Sequence, residues 1–184
     1  MRFQSRWRGR GFSLIELMIV VVILGVLAAI AIPVFSRYIR RGKASEAVTM
    51  LQNVRLKQEI YYQQFGRYVG IAAWFPTQDP SQDKHEWTGN ANVKKDWDIL
   101  GVRPGGGGGG SQLAYTYYQF RIGAGGIPGV ADIDPDAVSG KADIDTDLPW
   151  WWAQARGDLD GDGTYSLFEL TNQRETVYEH NPIE

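Results

Sequence analysis

Hydrophobic and polar positions divide the chain into three stretches. From Leu17 to Phe35 nineteen consecutive residues carry no charge, close to the ~20 that a helix needs to cross a bilayer. After Ser36 the apolar positions Ala44, Ala47, Val48, Leu51, Val54, Tyr61 and Phe65 fall mostly three or four apart, with Arg40, Lys43, Glu46, Arg55 and Glu59 largely between them. That spacing predicts an amphipathic helix growing out of a hydrophobic one. Run without a break from Phe12 to Phe65, it would extend roughly 80 Å at ~1.5 Å per residue. No domain of the remaining size can bury such a length, so its apolar half must find lipid or other chains. Pro33 is expected to bend it, because proline lacks the N–H and its ring crowds the carbonyl four residues earlier. Gly25 is a second weak point, although both residues are also ordinary in membrane helices. A secretory signal would have a shorter apolar region, ending in a small-residue cleavage site with polar chain beyond; here the helical pattern continues.

Beyond Gly66 the pattern changes to aromatics, glycine and turn residues, which predicts one globular unit over 66–184. "AYTYYQFRI" (Ala114 to Ile122), "WWWAQAR" (Trp150 to Arg156) and "TYSLFEL" (Thr164 to Leu170) are short, aromatic-rich and bounded by Gly, Pro or Asp, as strands are. They predict a small antiparallel sheet packed on the apolar stripe of Ala44 to Phe65, since a sheet needs its inner face covered. The run "GGGGGG", Gly105 to Gly110, is expected to form a flexible surface loop. It lacks the GK[ST] ending of a phosphate loop. The fold class expected is therefore α+β.

Charge and composition narrow the chemistry. The formal charge of -2 hides an asymmetry: residues 2–10 carry four arginines and no acid, whereas residues 132–184 carry thirteen acids against Lys141, Arg156 and Arg174. Nucleic-acid binding is not expected from a domain of that sign. The absence of cysteine excludes catalytic thiolates, cysteine-based zinc sites and disulfides. His85 and His180 are the only histidines, and no serine has the Gly-x-Ser-x-Gly setting of a nucleophile elbow; nothing points to an enzyme. Trp150, Trp151 and Trp152 are expected to alternate, some entering the core and one covering the sheet face, with a sugar-binding patch as the alternative.

Two features carry more specific chemistry. Glu16 stands just inside the apolar run, and an ionisable residue there costs several kcal/mol and marks function. "DLDGDGTYSLFE" fits the calcium-loop pattern D-x-[DN]-x-[DN]-G-x5-E, with Asp158, Asp160 and Asp162 at alternate positions, Gly163 at the turn and Glu169 closing the shell. Thr164 would offer its carbonyl and Ser166 a water-mediated contact. The flanks read as strands rather than the helices of an EF-hand, which leaves Glu169 the ligand least well placed. The competing reading is a metal-free turn with Asp side chains as backbone acceptors. The triplets Asp132/Asp134/Asp136 and Asp143/Asp145/Asp147 lack the glycine and the closing glutamate and read as solvated turns.

A basic leader, "RG" followed by "FSLIELMIVVVILGVLAAIAIP", an amphipathic helix and a small sheet together resemble the type IV pilin and type II secretion pseudopilin superfamily. The signature covers about Arg10 to Pro33. The resemblance implies that residues 1–11 are a leader removed by prepilin peptidase between Gly11 and Phe12, with N-methylation of the new Phe12 amine. It implies a long helix over 12–65, membrane-spanning to about 35, a head over 66–184, and roles in assembly for Glu16 and Pro33. One helical turn from the Phe12 amine, Glu16 would pair with its own amine or, in a stack of parallel helices, with a neighbour's. Arginines before the span and Arg37, Arg40, Arg41 and Lys43 after it tie the positive-inside count; leader-in, head-out comes from the resemblance. The function implied is a structural subunit of a self-assembling pilus-like filament, with motility, adhesion, DNA uptake and secretion all left open as its service. It would be held in the bacterial inner membrane as precursor, handled by the assembly machinery there, and later extracellular. A minor pilin, a periplasmic pseudopilin, or a monomeric membrane-tethered calcium- or ligand-binding domain are the alternatives.

Overall fold

The computed structural model describes residues 12–106, 113–126 and 144–182. The leader with Gly11, the glycines 107–110, the triplet at 132, 134 and 136, and Asp143 lie outside the described residues. The fold is α+β, as the pattern predicted. Helix α1 (Leu14–Phe65) is followed by β1 (Ile71–Phe75), β2 (His85–Glu86), α2 (Ala91–Leu100), a 3-10 turn (Pro104–Gly106), β3 (Tyr115–Thr116), β4 (Tyr118–Gly125), β5 (Trp150–Gly157), β6 (Ser166–Thr171) and β7 (Tyr178–His180). Two compact units divide within α1, between Tyr38 and Ile39.

In the first unit α1 is apolar on all sides and its large side chains from Leu14 to Phe35 are all exposed. The helix runs without interruption through Pro33. Ser36 Oγ donates to Ile32 O at 3.1 Å, and Arg37 Nε donates to Pro33 O at 3.4 Å.

In the second unit the five-stranded antiparallel sheet has the order β1-β4-β5-β6-β7. Its inner face follows from the register. Phe120, Ala155 and Phe168 form one cross-strand row, and Ile122, Ala153 and Leu170 the next. Alanine on the central strand with large residues on both neighbours leaves a trough, and α1 fills it with Ala44, Ala47, Met50, Leu51 and Val54. Burying a Leu, Ile or Phe here contributes about 1.5–3 kcal/mol each. Trp151 joins this core while Trp150 and Trp152 lie on the opposite face, also buried, with Ile144 beside them. All three tryptophans are therefore buried, on the two faces that strand alternation dictates. Trp152 lies over its cross-strand partner Gly123, where a Cβ would stand 2.2 Å from the indole.

Helix α2 was not evident from the hydrophobic pattern. Its N-cap is Asn90, whose side chain accepts from Asn92 N, and its C-cap is Gly101 in the left-handed region at φ 71°. It buries Trp97 and Leu100, and Trp97 meets Trp87 edge-on, as Trp87 meets Phe75.

Polar side chains of α1 fasten the rest of the unit to it. Arg55 donates to three carbonyls at the end of β6 and just after it, those of Thr171, Arg174 and Glu175. Glu46 accepts from Tyr117 N at 3.0 Å and pairs with Lys84 at 2.7 Å. Glu59 accepts from Trp151 Nε1 and the Tyr68 hydroxyl; burial, and then the charge of Glu59, push that hydroxyl up to about 12. Gln58 is fully buried and clamps both backbone groups of one residue, donating to Val69 O at 2.6 Å and accepting from Val69 N at 3.0 Å.

Replacing Gln58 by Leu would leave the part-buried N–H and C=O of Val69 without their partners, a cost of about 1–3 kcal/mol for the pair at partial burial. Urea unfolding of the detergent-solubilised protein is expected to show that loss for Gln58→Leu and no change for Gln52→Leu, at an exposed position earlier in α1.

Candidate functional site

Two regions carry the residues singled out in the sequence. At the start of α1 Phe12 is 80% exposed and Glu16 sits in the first turn. The N–H of Glu16 donates to Ser13 Oγ at 3.2 Å, and the N–H of Leu17 donates to Ser13 O at 3.2 Å. Ser13 is thus the helix N-cap, and Glu16 the third helical residue. Sequence reasoning missed Ser13, although Ser-x-x-Glu before an apolar run is a readable capping signal. The dipole at this end favours a carboxylate. Pro33 lies inside α1.

The second region is the turn between β5 and β6. Gly161 and Gly163 take positive φ, 78° and 85°, a conformation that a side chain would strain. The turn brings ligand oxygens of Asp158, Asp160 and Asp162 within 4.8 Å of one another. Asp158 is buried, and its two oxygens accept from Gly161 N at 2.7 Å and Gly163 N at 3.1 Å. Asp162 is exposed and accepts from Thr164 N at 2.7 Å. Asp160 pairs with Arg40 at 3.5 Å, while its other oxygen is buried without a hydrogen-bond partner. Gln82 donates to the backbone carbonyl of Asp160, and Lys43 donates to that of Gln82. The loop is therefore tied to α1 both directly and through Gln82.

Glu169 is not part of this group, which corrects the fourfold carboxylate set read from the loop pattern. It is fully buried in β6, opposite Gln154, whose amide donates to its carboxylate at 2.8 Å. Strand pairing, not loop spacing, decides its position. Arg40 had no local signal, since it lies 120 residues from its partner. Asp145 and Asp147, from one of the other triplets, form a turn in which Asp145 Oδ1 accepts from Asp147 N at 3.0 Å.

Residues 8–32 match the family described as the prokaryotic N-terminal methylation motif. The chain is 51% identical over 65 residues to the type IV major pilin protein PilA of Myxococcus xanthus, covering 35% of this chain and 30% of that protein. A fimbrial protein of Dichelobacter nodosus is 38% identical over 118 residues, 60% of this chain and 68% of the relative. The type IV major fimbrial protein FimA of the same organism is 36% identical over 122 residues, 62% and 70%. The chain belongs to the type IV pilin superfamily. No solved structure matches the pilin. Its 65-residue match to the Myxococcus protein spans 30% of that protein, whereas the 118- and 122-residue matches to these two Dichelobacter proteins each extend over more than two thirds of the relative.

The acidic turn of the pilin depends most on Asp158. With chelator present, Asp158→Ala leaves the N–H groups of Gly161 and Gly163 without their acceptor and is expected to cost about 1–3 kcal/mol. Asp162→Ala, at an exposed position, is expected to cost less than half as much. Denaturant unfolding of the two variants side by side measures the difference.

Proposed function

We propose that the protein is the structural subunit of a type IV pilus filament, held in the membrane before assembly and polymerised through the first half of α1. The observation that carries this is the surface of that half. Its large apolar side chains are all exposed, and among the described residues α1 is the one helix long and apolar enough to cross a membrane. Leaving that surface in water is costly at ~25 cal/mol per Å². Lipid covers it in the precursor, and the same helix of other copies covers it in the filament. Similarity to relatives named major pilins and fimbrial proteins favours the main filament subunit over a minor pilin or pseudopilin.

In this reading prepilin peptidase cuts between Gly11 and Phe12, the Phe12 amine is methylated, and the precursor sits in the inner membrane with its head outward until the assembly machinery extracts it. Glu16 then meets the Phe12 amine of a neighbouring copy. The attraction is far stronger in the low dielectric of packed helices than in water, which is a reason for an acid to stand in an apolar run. Pro33 serves packing of the same segment.

Mass spectrometry of isolated filaments is expected to show a chain beginning at methylated Phe12. Glu16→Ala is expected to leave a membrane-inserted, folded protein whose filament yield falls by about tenfold or more. An intact Met1 terminus, or wild-type yield at equal protein level, would sink the respective step.

A second proposal concerns the acidic turn: calcium binds at Asp158, Asp160 and Asp162 with the Thr164 carbonyl and without Glu169. It is supported by the convergence of three carboxylates and by the unpartnered oxygen of Asp160. A three-carboxylate shell with Arg40 nearby places the affinity at the weak end, about 10⁻⁴ to 10⁻³ M. Millimolar calcium is then expected to raise the melting midpoint over that in chelator, by mass action on the folded state. An unchanged midpoint in the two conditions returns the loop to a plain Asp-capped turn.

A further inference from the structure

A helix begins with N–H groups that have no partner within it, and in an apolar surrounding each unmet group is expensive. At the start of α1 the Ser13 hydroxyl meets one of them, accepting from Glu16 N at 3.2 Å, while the Ser13 carbonyl accepts the first regular helix bond, from Leu17 N, also at 3.2 Å. In a chain that begins at Phe12 a single residue precedes Ser13, so no upstream segment can take over this work. The cap also fixes the residue on which assembly depends. Side chains on a helix lean toward its N-terminus, so holding the Glu16 backbone in the third helical position aims its carboxylate back along the axis, to the level where the amines of residue 12 lie.

We infer that Ser13 is a positioning residue for assembly: by capping α1 through the Glu16 N–H, it holds the Glu16 carboxylate where the amine of a neighbouring copy can meet it. This rests on the docking role proposed for Glu16. Without the cap the first turn frays, the carboxylate samples many directions, and each docking event must order it again. Ser13 makes no contact with the incoming subunit in this account; it acts through Glu16.

The test uses the full-length protein expressed in a piliated host, with yield of sheared filaments measured at equal membrane protein level and the N-terminus checked by mass spectrometry. Ser13→Ala and Ser13→Val, which cannot accept the Glu16 N–H, are expected to lower the yield about fivefold, the scale of losing one N-cap. Ser13→Thr and Ser13→Asn, which keep an acceptor, are expected to stay near wild type. The double variant Ser13→Ala with Glu16→Ala is expected to yield as much as Glu16→Ala alone, because Ser13 has nothing left to position. Wild-type yield in the Ala and Val variants overturns the inference. So does equal loss in Thr and Asn, a further loss in the double variant, or accumulation of uncleaved precursor, which would give Ser13 its role in processing instead. Wild-type yield for Glu16→Ala alone overturns the docking role of Glu16 itself, whereas loss there with an unaffected Ser13→Ala removes only the role of Ser13.

Discussion

One helix has to satisfy two different surroundings, and the rest of the molecule answers to that demand. Over its first half α1 is apolar on every side, so no single face can be hidden by a domain and the covering must come from lipid or from like helices. Over its second half the same helix presents one apolar stripe, Ala44 to Val54, to the sheet. The change from all-round to one-sided hydrophobicity falls where Arg37, Arg40, Arg41 and Lys43 interrupt the sequence. Charge at this point suits an interface between hydrocarbon and water, and two of these residues, Arg40 and Lys43, also reach the loops of the head.

The apolar stripe sets the sheet on the helix, but it is small, with two of its members alanine. Polar bonds complete the attachment. Arg55 gathers three carbonyls, Gln58 clamps both backbone groups of Val69, and Glu46 and Glu59 each hold groups from distant segments. Buried hydrogen bonds of this kind contribute about 1 kcal/mol each and cost more when broken on one side only. They also fix register in a way that alanine contacts cannot, because an amide and a peptide group match in one position only.

The sequence disclosed most where a single period ran for long. The apolar run and its amphipathic continuation gave α1 to within two residues of its start. Strands β4, β5 and β6 were visible as aromatic runs between turn residues, although the predicted strand at Ala114 is interrupted after Thr116 and resumes at Tyr118. Strand β1, "IAAWF", is short and lacks alternation, and α2 spans fewer than three turns with Trp97 and Leu100 as its buried contribution. The signals for α2 were its caps Asn90 and Gly101 rather than any hydrophobic pattern. The site was legible in proportion to how local it is. The three aspartates and two glycines of the turn act within six residues, whereas Glu169 answers to Gln154 across the sheet and Arg40 to a loop far along the chain. Ser13 was readable and overlooked, since a hydroxyl beside so long an apolar run draws attention only once its bond to Glu16 N is seen.

The close approach of Trp152 to Gly123 reaches beyond packing. With a Cβ at residue 123 only 2.2 Å from the indole, the two sites cannot vary independently. A library that randomises residue 123 alone would return glycine, while one that also releases residue 152 would admit pairs in which a smaller ring or branched chain makes room. The sheet thus carries a two-letter word rather than two free letters, written across neighbouring strands about thirty positions apart.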